Sequence, residues 1–321
     1  LFCKCSHELE KAAKKNNCGL FYEASCVGGV PVIRALLDNL QGNKVLSMMG
    51  IINGTTNYIL TKMTDESASY EDVLKEAQRL GYAEANPTAD VEGFDAAYKL
   101  SILSSLAFHT KIPFSKIYRE GITRITSADI QYGKQLGYAL KLLAIGKNTD
   151  EGIEVRVHPT YIKNTHPLAS VKDSYNAVYI TGDCVEDVML YGRGAGAMPT
   201  ASAIVGDVIY CATHPNFRYS TFKNTEDADP STKFIDNFKS AYYLRLMAHD
   251  KAGVLAKVSS IFSRHNISVA QMIQEEDGVD GRVPLVFVTH QTKEKSIMKA
   301  VDDINATSDI AEVVSVIRVV S

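Results

Sequence analysis

The sequence predicts an α/β (α+β) domain built on a mixed sheet, followed by a ferredoxin-like βαββαβ domain. Three observations carry this expectation. Strand-like and helical runs alternate from residue 21 to about residue 214. From residue 240 the order becomes β-α-β-β-α-β. Between the two lies a polar, turn-rich stretch at 215–239 that includes Asn224-Thr-Glu-Asp-Ala-Asp-Pro230 and reads as a linker. A chain of 321 residues is long enough for about two domains.

Composition narrows the class. Hydrophobic residues make up 45% and charged residues 22%, which is ordinary for a globular chain, and the net charge is −3. With no basic excess, nucleic acid and anionic membranes are not expected partners. No apolar run reaches the length of a membrane span, and no signal peptide is visible. Cys3, Cys5, Cys18, Cys26, Cys184 and Cys211 form no C-x-x-C pair. They read as reduced thiols of a cytoplasmic protein.

In chain order, residues 7–16 form a lysine-rich amphipathic helix, and Leu20-Phe21-Tyr22 reads as a strand. Gly28-Gly29 then allow a tight turn or a close approach to a ligand. Pro31 suits the first turn of a helix through Arg34, Leu36, Leu37 and Leu40. Glu23, followed by bared carbonyls, can hold a hard cation, although a Gly-Gly turn is just as often a structural device. Residues 44–52 are the next strand, which runs into Asn53-Gly54-Thr55-Thr56-Asn57 and a helix over 58–63. Such residues either present donors to a ligand at a helix N-terminus or simply cap it. Ser69 starts a helix over 70–80, stopped by Gly81.

Beyond the segment 81–99, residues 117–125 read as strand or turn, 127–136 as helix, and 139–145, 153–161, 177–181 and 188–191 as strands. His158 and His166 lack ligand-like spacing and read as structural or solvated. Residues 191–200 are a glycine-rich loop ahead of a small apolar helix over 201–211. That loop admits a phosphate or is a close-packed turn. No G-x-G-x-x-G fingerprint follows a strand anywhere in the chain. In the last part, Tyr242, Leu244, Leu246 and Ala248 alternate with Tyr243, Arg245, Met247 and His249 as a half-buried strand. Asp250–Gly253 turns into a helix over 254–264, a strand follows over 267–274, and Asp277–Gly281 is a hairpin-type turn. A strand over 283–289, a helix over 293–304 and a strand over 313–319 complete the pattern.

The densest chemistry lies between Gly81 and Lys99. Asp95 and Lys99 are four residues apart and share one helix face. Glu84 and Asp90 sit on the loop feeding that helix, where they can converge on the same spot. A carboxylate at this spacing keeps a lysine charged and aimed. A small polar substrate with an amino group and a reducible oxygen needs such a set. Carboxylates take the ammonium, and the lysine donates a proton as the oxygen gains charge. An Asp/Lys pair of this kind is ordinarily a solvated surface pair. Here the helix continues as the apolar run 100–108, so the pair stands at the mouth of a buried helix.

These motifs resemble the homoserine dehydrogenase family, in its long bacterial form with a C-terminal ACT domain. The residues that carry the resemblance are Gly81-Tyr-Ala-Glu84 with Asp90, Asp95 and Lys99, then Glu23-Ala-Ser-Cys-Val-Gly-Gly-Val-Pro31, Gly50-Ile-Ile-Asn-Gly-Thr-Thr-Asn57, Gly192–Ser202 and Asp250-Lys-Ala-Gly-Val-Leu255. The resemblance implies NAD(P)H-dependent, reversible reduction of L-aspartate 4-semialdehyde to L-homoserine, in threonine, methionine and isoleucine biosynthesis. It implies Lys99 as proton donor, Asp95 as its orienting partner, and Glu84, Asp90, Tyr82, Thr55 and Gly54 around the substrate. Gly196 and Gly81 would lie near the NADP or NAD cofactor. Glu23, with carbonyls of Cys26, Gly28 and Val30, matches a sodium site, with Cys26 in place of the usual Val. Asp250, Ala252 and Gly253 match a regulatory ligand loop, with threonine as effector, and the chain is expected to form a homodimer or homotetramer.

The same resemblance divides the chain. Residues 1–20 correspond to a remnant of a nucleotide-binding domain, and 21–190 to the substrate/dimerisation domain. Residues 191–214 correspond to a glycine loop and helix returning to the nucleotide domain, 215–239 to a linker, and 240–321 to the ACT domain. The family's G-x-G-x-x-G domain is not matched, so this chain alone is expected to bind nucleotide poorly and to be nearly inactive. The rival expectation is a non-catalytic amino-acid-binding sensor that has lost its cofactor domain. The Glu84, Asp95 and Lys99 set argues against it.

Overall fold

The structure, a computed structural model, describes residues 2–214, 230–274, 281–307 and 311–320. Helix α1 spans Phe2–Lys15. The expected strand at 20–22 does not form. Its aromatic residues are taken up by side-chain contacts instead: Phe21 meets Tyr210 edge-on at 5.9 Å, and the Tyr22 hydroxyl donates to Glu10 Oε1 at 3.3 Å. A single 3-10 turn covers Glu23–Ser25. A helical turn at Val32–Arg34 then widens into a π-helical segment over Ala35–Asn39.

The regular elements that follow are β1 (Val45–Ile51), α2 (Gly54–Glu66), α3 (Tyr70–Arg79), α4 (Thr88–Val91), α5 (Phe94–Phe108), α6 (Ser127–Gln135), β2 (Tyr138–Thr149), β3 (Gly152–Lys163), β4 (Tyr175–Gly182), β5 (Glu186–Arg193) and α7 (Ala197–Thr213). The C-terminal part adds β6 (Lys239–His249), α8 (Val254–Arg264), β7 (Val269–Gln274), β8 (Arg282–Thr289), α9 (Glu294–Asn305) and β9 (Ala311–Val320). Two of these differ from expectation for local reasons. Helix α2 starts at Gly54 rather than residue 58, because Asn53 caps it through its own side chain. The expected loop 191–200 shrinks to three residues, because Tyr191, Gly192 and Arg193 pair with Ala177, Asn176 and Tyr175 in the β4–β5 ladder.

The chain forms two compact units. The first comprises residues 1–123, 141–158 and 167–235. Its strands lie in the order β5-β4-β1-β2-β3, with β1 antiparallel to both neighbours. Residues 233–235 join this unit by pairing with Ile153. Helix α5 is apolar on most sides and buries Ala97, Leu100, Leu103, Leu106 and Phe108. It lies close on β1 and β2: Ser104 Oγ is 3.5 Å from Met48 Sδ, and a Cβ at Gly146 would fall 2.9 Å from Ser104 Oγ. Each such leucine contributes roughly 1.5–3 kcal/mol on burial, so the helix carrying Asp95 and Lys99 is firmly anchored.

The second unit comprises residues 124–140, 159–166 and 236–321. It contains the expected βαββαβ order, with strands β7-β8-β6-β9 and β9 running parallel to residues 160–162. Its core is Leu244, Leu246, Phe262, Phe287, Ile297 and Ile304. Strand β6 is more deeply covered than its alternation predicts. Tyr243, on the face expected to be open, is fully buried. Its ring packs edge-on against Tyr161 at 5.2 Å, and its hydroxyl donates to Asp129 Oδ1 at 3.2 Å. The turn expected at 277–281 falls, apart from Gly281, outside the described residues.

Candidate active site

The site grows from the end of β1. The chain leaves β1 at Ile52 and enters α2 at Gly54, and Asn53 between them is buried. Its Oδ1 accepts the Thr56 backbone N–H at 2.9 Å, which satisfies one of the free donors at the helix start. Its Nδ2 donates to Asp90 Oδ1 at 2.8 Å and to Asp95 Oδ2 at 2.9 Å. Asp90 lies on the short helix α4, and Asp95 in the first turn of α5. Gly93 joins the two helices with φ +75°, a conformation that favours glycine.

Lys99 completes the cluster. Its Nζ lies 2.7 Å from Asp95 Oδ2 and 3.1 Å from the Ile52 carbonyl oxygen. The pair is half-buried, with side chains 19% and 31% exposed. The ammonium is therefore aimed and still reachable. Burial pushes the Asp90 pKa up; the Asn53 hydrogen bond opposes the rise, and the Asp95 charge adds to it.

The structure places the other expected residues as follows. Thr55 Oγ1 donates to the Tyr82 carbonyl at 2.6 Å, and the exposed Tyr82 ring stacks on Tyr58 at 4.6 Å. Glu84 is exposed, and among the described residues its carboxylate makes no hydrogen bond or ion pair. It does not join the Asn53 cluster. Gly81, at φ +78°, ends α3 by donating its N–H to the Gln78 carbonyl at 3.1 Å. Gly196 is the N-cap of α7 at φ 114°, and the first turn of that helix carries no acid.

The Gly28-Gly29 turn reaches the same region. Burial pushes the Cys26 thiol up to about 12, and the charges of Lys99 and Asp95 both act on it. Gly29 N–H donates to the Arg193 carbonyl at 3.0 Å. Gly28 has φ +48°, and a Cβ there would lie 2.3 Å from the Gly194 carbonyl oxygen. A Cβ at Gly194 would in turn lie 2.2 Å from the Asn176 amide. These glycines are needed because two loops and a strand meet without room for side chains.

Glu23 is buried, and its carboxylate accepts N–H groups of Ile33 at 2.9 Å and Arg34 at 2.7 Å. Burial raises its pKa, opposed by those two bonds. The Val30 carbonyl accepts from Val32 N–H at 2.8 Å. The carbonyls of Cys26 and Gly28 accept no backbone hydrogen bond among the described residues. Bare carbonyls in a buried turn suit a hard cation. No group of three or more His, Cys, Asp or Glu side chains that could hold a metal occurs among the described residues. Asp250, Ala252 and Gly253 form an exposed turn in the second unit, where Gly253 at φ +90° caps α8.

Two residues outside the expected site emerge. Asn53 bridges the two aspartates. Asn176 is buried beside Gly54 and Gly194, and its Oδ1 lacks a hydrogen-bond partner among the described residues.

A half-buried lysine held by a carboxylate on an α/β scaffold, with a ferredoxin-like module behind it in sequence, is the arrangement of a substrate-type α/β domain followed by a separate βαββαβ domain. The comparisons make this specific. The family model for homoserine dehydrogenase matches residues 31–209, and that for the ACT domain matches 242–306. The homoserine dehydrogenase of Neisseria gonorrhoeae is 40% identical over 100% of this chain and 75% of its own length. That of Bacillus subtilis is 40% identical over 97% of this chain and 72% of its own length. The crystal structure of a homoserine dehydrogenase from Thiobacillus denitrificans superimposes with a TM-score of 0.92 at 40% identity, over 100% of this chain and 74% of that one. A hyperthermophilic archaeal homoserine dehydrogenase in complex with NADPH aligns with a TM-score of 0.58 at 30% identity, over 68% of this chain and 63% of that one. The chain belongs to the homoserine dehydrogenase family and carries a C-terminal ACT domain.

Proposed function

We propose that this site carries the homoserine/aspartate 4-semialdehyde interconversion with Lys99 as its acid–base group. The observation that supports this most directly is the Lys99 ammonium, held 2.7 Å from Asp95 and 3.1 Å from the Ile52 carbonyl. In the reductive direction, NAD(P)H supplies the hydride to the aldehyde carbon. The aldehyde C=O π bond becomes an alkoxide, and Lys99 transfers a proton to that oxygen. The amine left behind regains a proton from solvent, and the oxidative direction reverses each step. Asp95 holds the Lys99 ammonium in place. The exposed Glu84 carboxylate is free to take the substrate ammonium. Asp90, Tyr82, Thr55 and Gly54 line the approach.

The acid-free start of α7 after Gly196 suits a cofactor phosphate, with Gly81 nearby in the same reading. The turn Glu23–Val30, with its bare carbonyls at Cys26 and Gly28, suits a sodium ion that stiffens it against the Gly194 loop. The turn Asp250–Gly253, at the start of α8, suits an effector amino acid, with its carboxylate at the helix N-terminus and its ammonium at Asp250, for which we propose threonine. A homodimer or homotetramer and a cytoplasmic location complete this reading. Among the described residues no helix is long and apolar enough to cross a membrane.

The test is homoserine oxidation followed by NAD(P)H absorbance, with NAD+ and NADP+ in parallel, in a polypeptide that carries this chain and a nucleotide-binding domain. Calorimetry with threonine tests the regulatory part. Saturable heat that disappears in Asp250→Ala supports it, and no heat in the wild type refutes it.

A further inference from the structure

We propose that Asn53 is a positioning residue of this site: its side-chain amide holds Asp90 and Asp95 side by side as two anions, and so keeps Asp95 available to Lys99. The inference rests on the dehydrogenase reading above, in which Lys99 needs an ionised Asp95.

The geometry is specific about direction. An amide nitrogen carries two hydrogens and its oxygen carries none. Asn53 Oδ1 is taken by Thr56 N–H at 2.9 Å and by Thr56 Oγ1 at 3.0 Å. The NH2 end is thereby turned to the acids, at 2.8 Å from Asp90 and 2.9 Å from Asp95. One hydrogen is available for each carboxylate. Asn53 is only 5% exposed, so water cannot readily replace it.

Two neighbouring carboxylates partly out of water raise each other's affinity for a proton. Such a proton would neutralise one of them and loosen the hold on Lys99. The amide opposes that tendency without adding charge. Burial and the Asp95 charge push Asp90 upward, and the Asn53 bond is the largest opposing influence. The other groups facing the cluster are Lys99 on α5, Thr55 on α2, and Cys26 on the glycine turn, whose thiol burial keeps neutral. Two anions and one cation leave a single net negative charge, which complements a substrate ammonium.

The test compares wild type with Asn53→Asp, which keeps the cap oxygen and the shape, and Asn53→Ser, which keeps a capping hydroxyl but loses the NH2 group. Carboxyl 13C shifts of labelled aspartate follow Asp90 and Asp95 through pH. In parallel, kcat/KM for homoserine oxidation is followed through pH. In Asn53→Ser, where no charge is added, Asp90 is expected to bind its proton at least one pH unit higher, and in Asn53→Asp the added carboxylate pushes Asp90 further in the same direction. The acid limb of kcat/KM moves with it, while activity recovers at higher pH. Unmoved carboxylate titrations in both variants overturn the proposal. So does a moved titration with an unmoved acid limb. Absence of homoserine oxidation by the wild type overturns the dehydrogenase reading instead, and the carboxyl titration then decides alone whether Asn53 keeps the pair ionised.

Discussion

Lys99 Nζ lies 2.7 Å from Asp95 Oδ2, one helical turn along α5. The contact holds the ammonium in one direction, unlike a freely solvated surface lysine. Asp95→Asn keeps the shape and removes the charge that aims it. Homoserine oxidation is expected to fall by roughly 10²–10⁴-fold. Steady-state kinetics check this, and a near-normal kcat would remove Asp95 from the mechanism.

Lys141 gives a pH-dependent stability. Its Nζ is buried, donating to the Val171 carbonyl and to Asn57 Oδ1 at 3.3 Å. Burial lowers its pKa from 10.5 to about 8. Between those values the unfolded chain binds more protons than the folded one, so stability rises with pH across that window. Below about pH 8 the full cost of burying the charge, about 3 kcal/mol, is present. Urea unfolding at pH 7.5 and at pH 10 should show wild type gaining stability relative to Lys141→Met. Parallel pH dependences would refute the assignment.

In the second unit, Arg245 Nε donates to the fully buried carboxylate of Asp129 at 2.8 Å. Arg245→Leu leaves that anion with only its tyrosine and capping partners. The loss should be about 3–5 kcal/mol. Adding Asp129→Leu should recover part of it, because the unpaired charge is then gone. Denaturant titration of the two variants measures both numbers.

Gly28 is held at φ +48° against the Gly194 carbonyl. Gly28→Ala meets both a disfavoured conformation and a clash, and should cost more than about 1 kcal/mol. The same turn carries Cys26, which shares its surroundings with Lys99 and Asp95. Turnover should therefore fall together with the melting temperature. Gly42→Ala, where nothing lies within 4 Å, is the control expected to spare both.

The Asp95–Lys99 pair was legible because helical spacing is a local rule, and the βαββαβ order because its periodicities are strong. The cap made by Asn53 was legible too, but its bridge to the acids was not: its partners Asp90 and Asp95 lie 37 and 42 residues away, and only the packing of α4 and α5 at the end of β1 brings them to it. Leu20-Phe21-Tyr22 has strand-like residues, but β1 already pairs with β2 and β4, and the aromatics found other contacts. Tyr243 looked half-open because Tyr161 and Asp129, which cover it, are remote in sequence. The glycine-rich stretch lost Tyr191–Arg193 to the β4–β5 ladder for the same reason.

Lys99 is proposed as the acid–base group of homoserine oxidation. Its most direct test is homoserine oxidation, followed by NAD(P)H absorbance, in wild type and Lys99→Ala, each in a polypeptide that includes a nucleotide-binding domain. The predicted result is saturable turnover in wild type and a fall of roughly 10²–10⁴-fold in kcat for the variant, with melting temperature preserved. Undiminished turnover in Lys99→Ala, or none in the wild type with either cofactor, would contradict it.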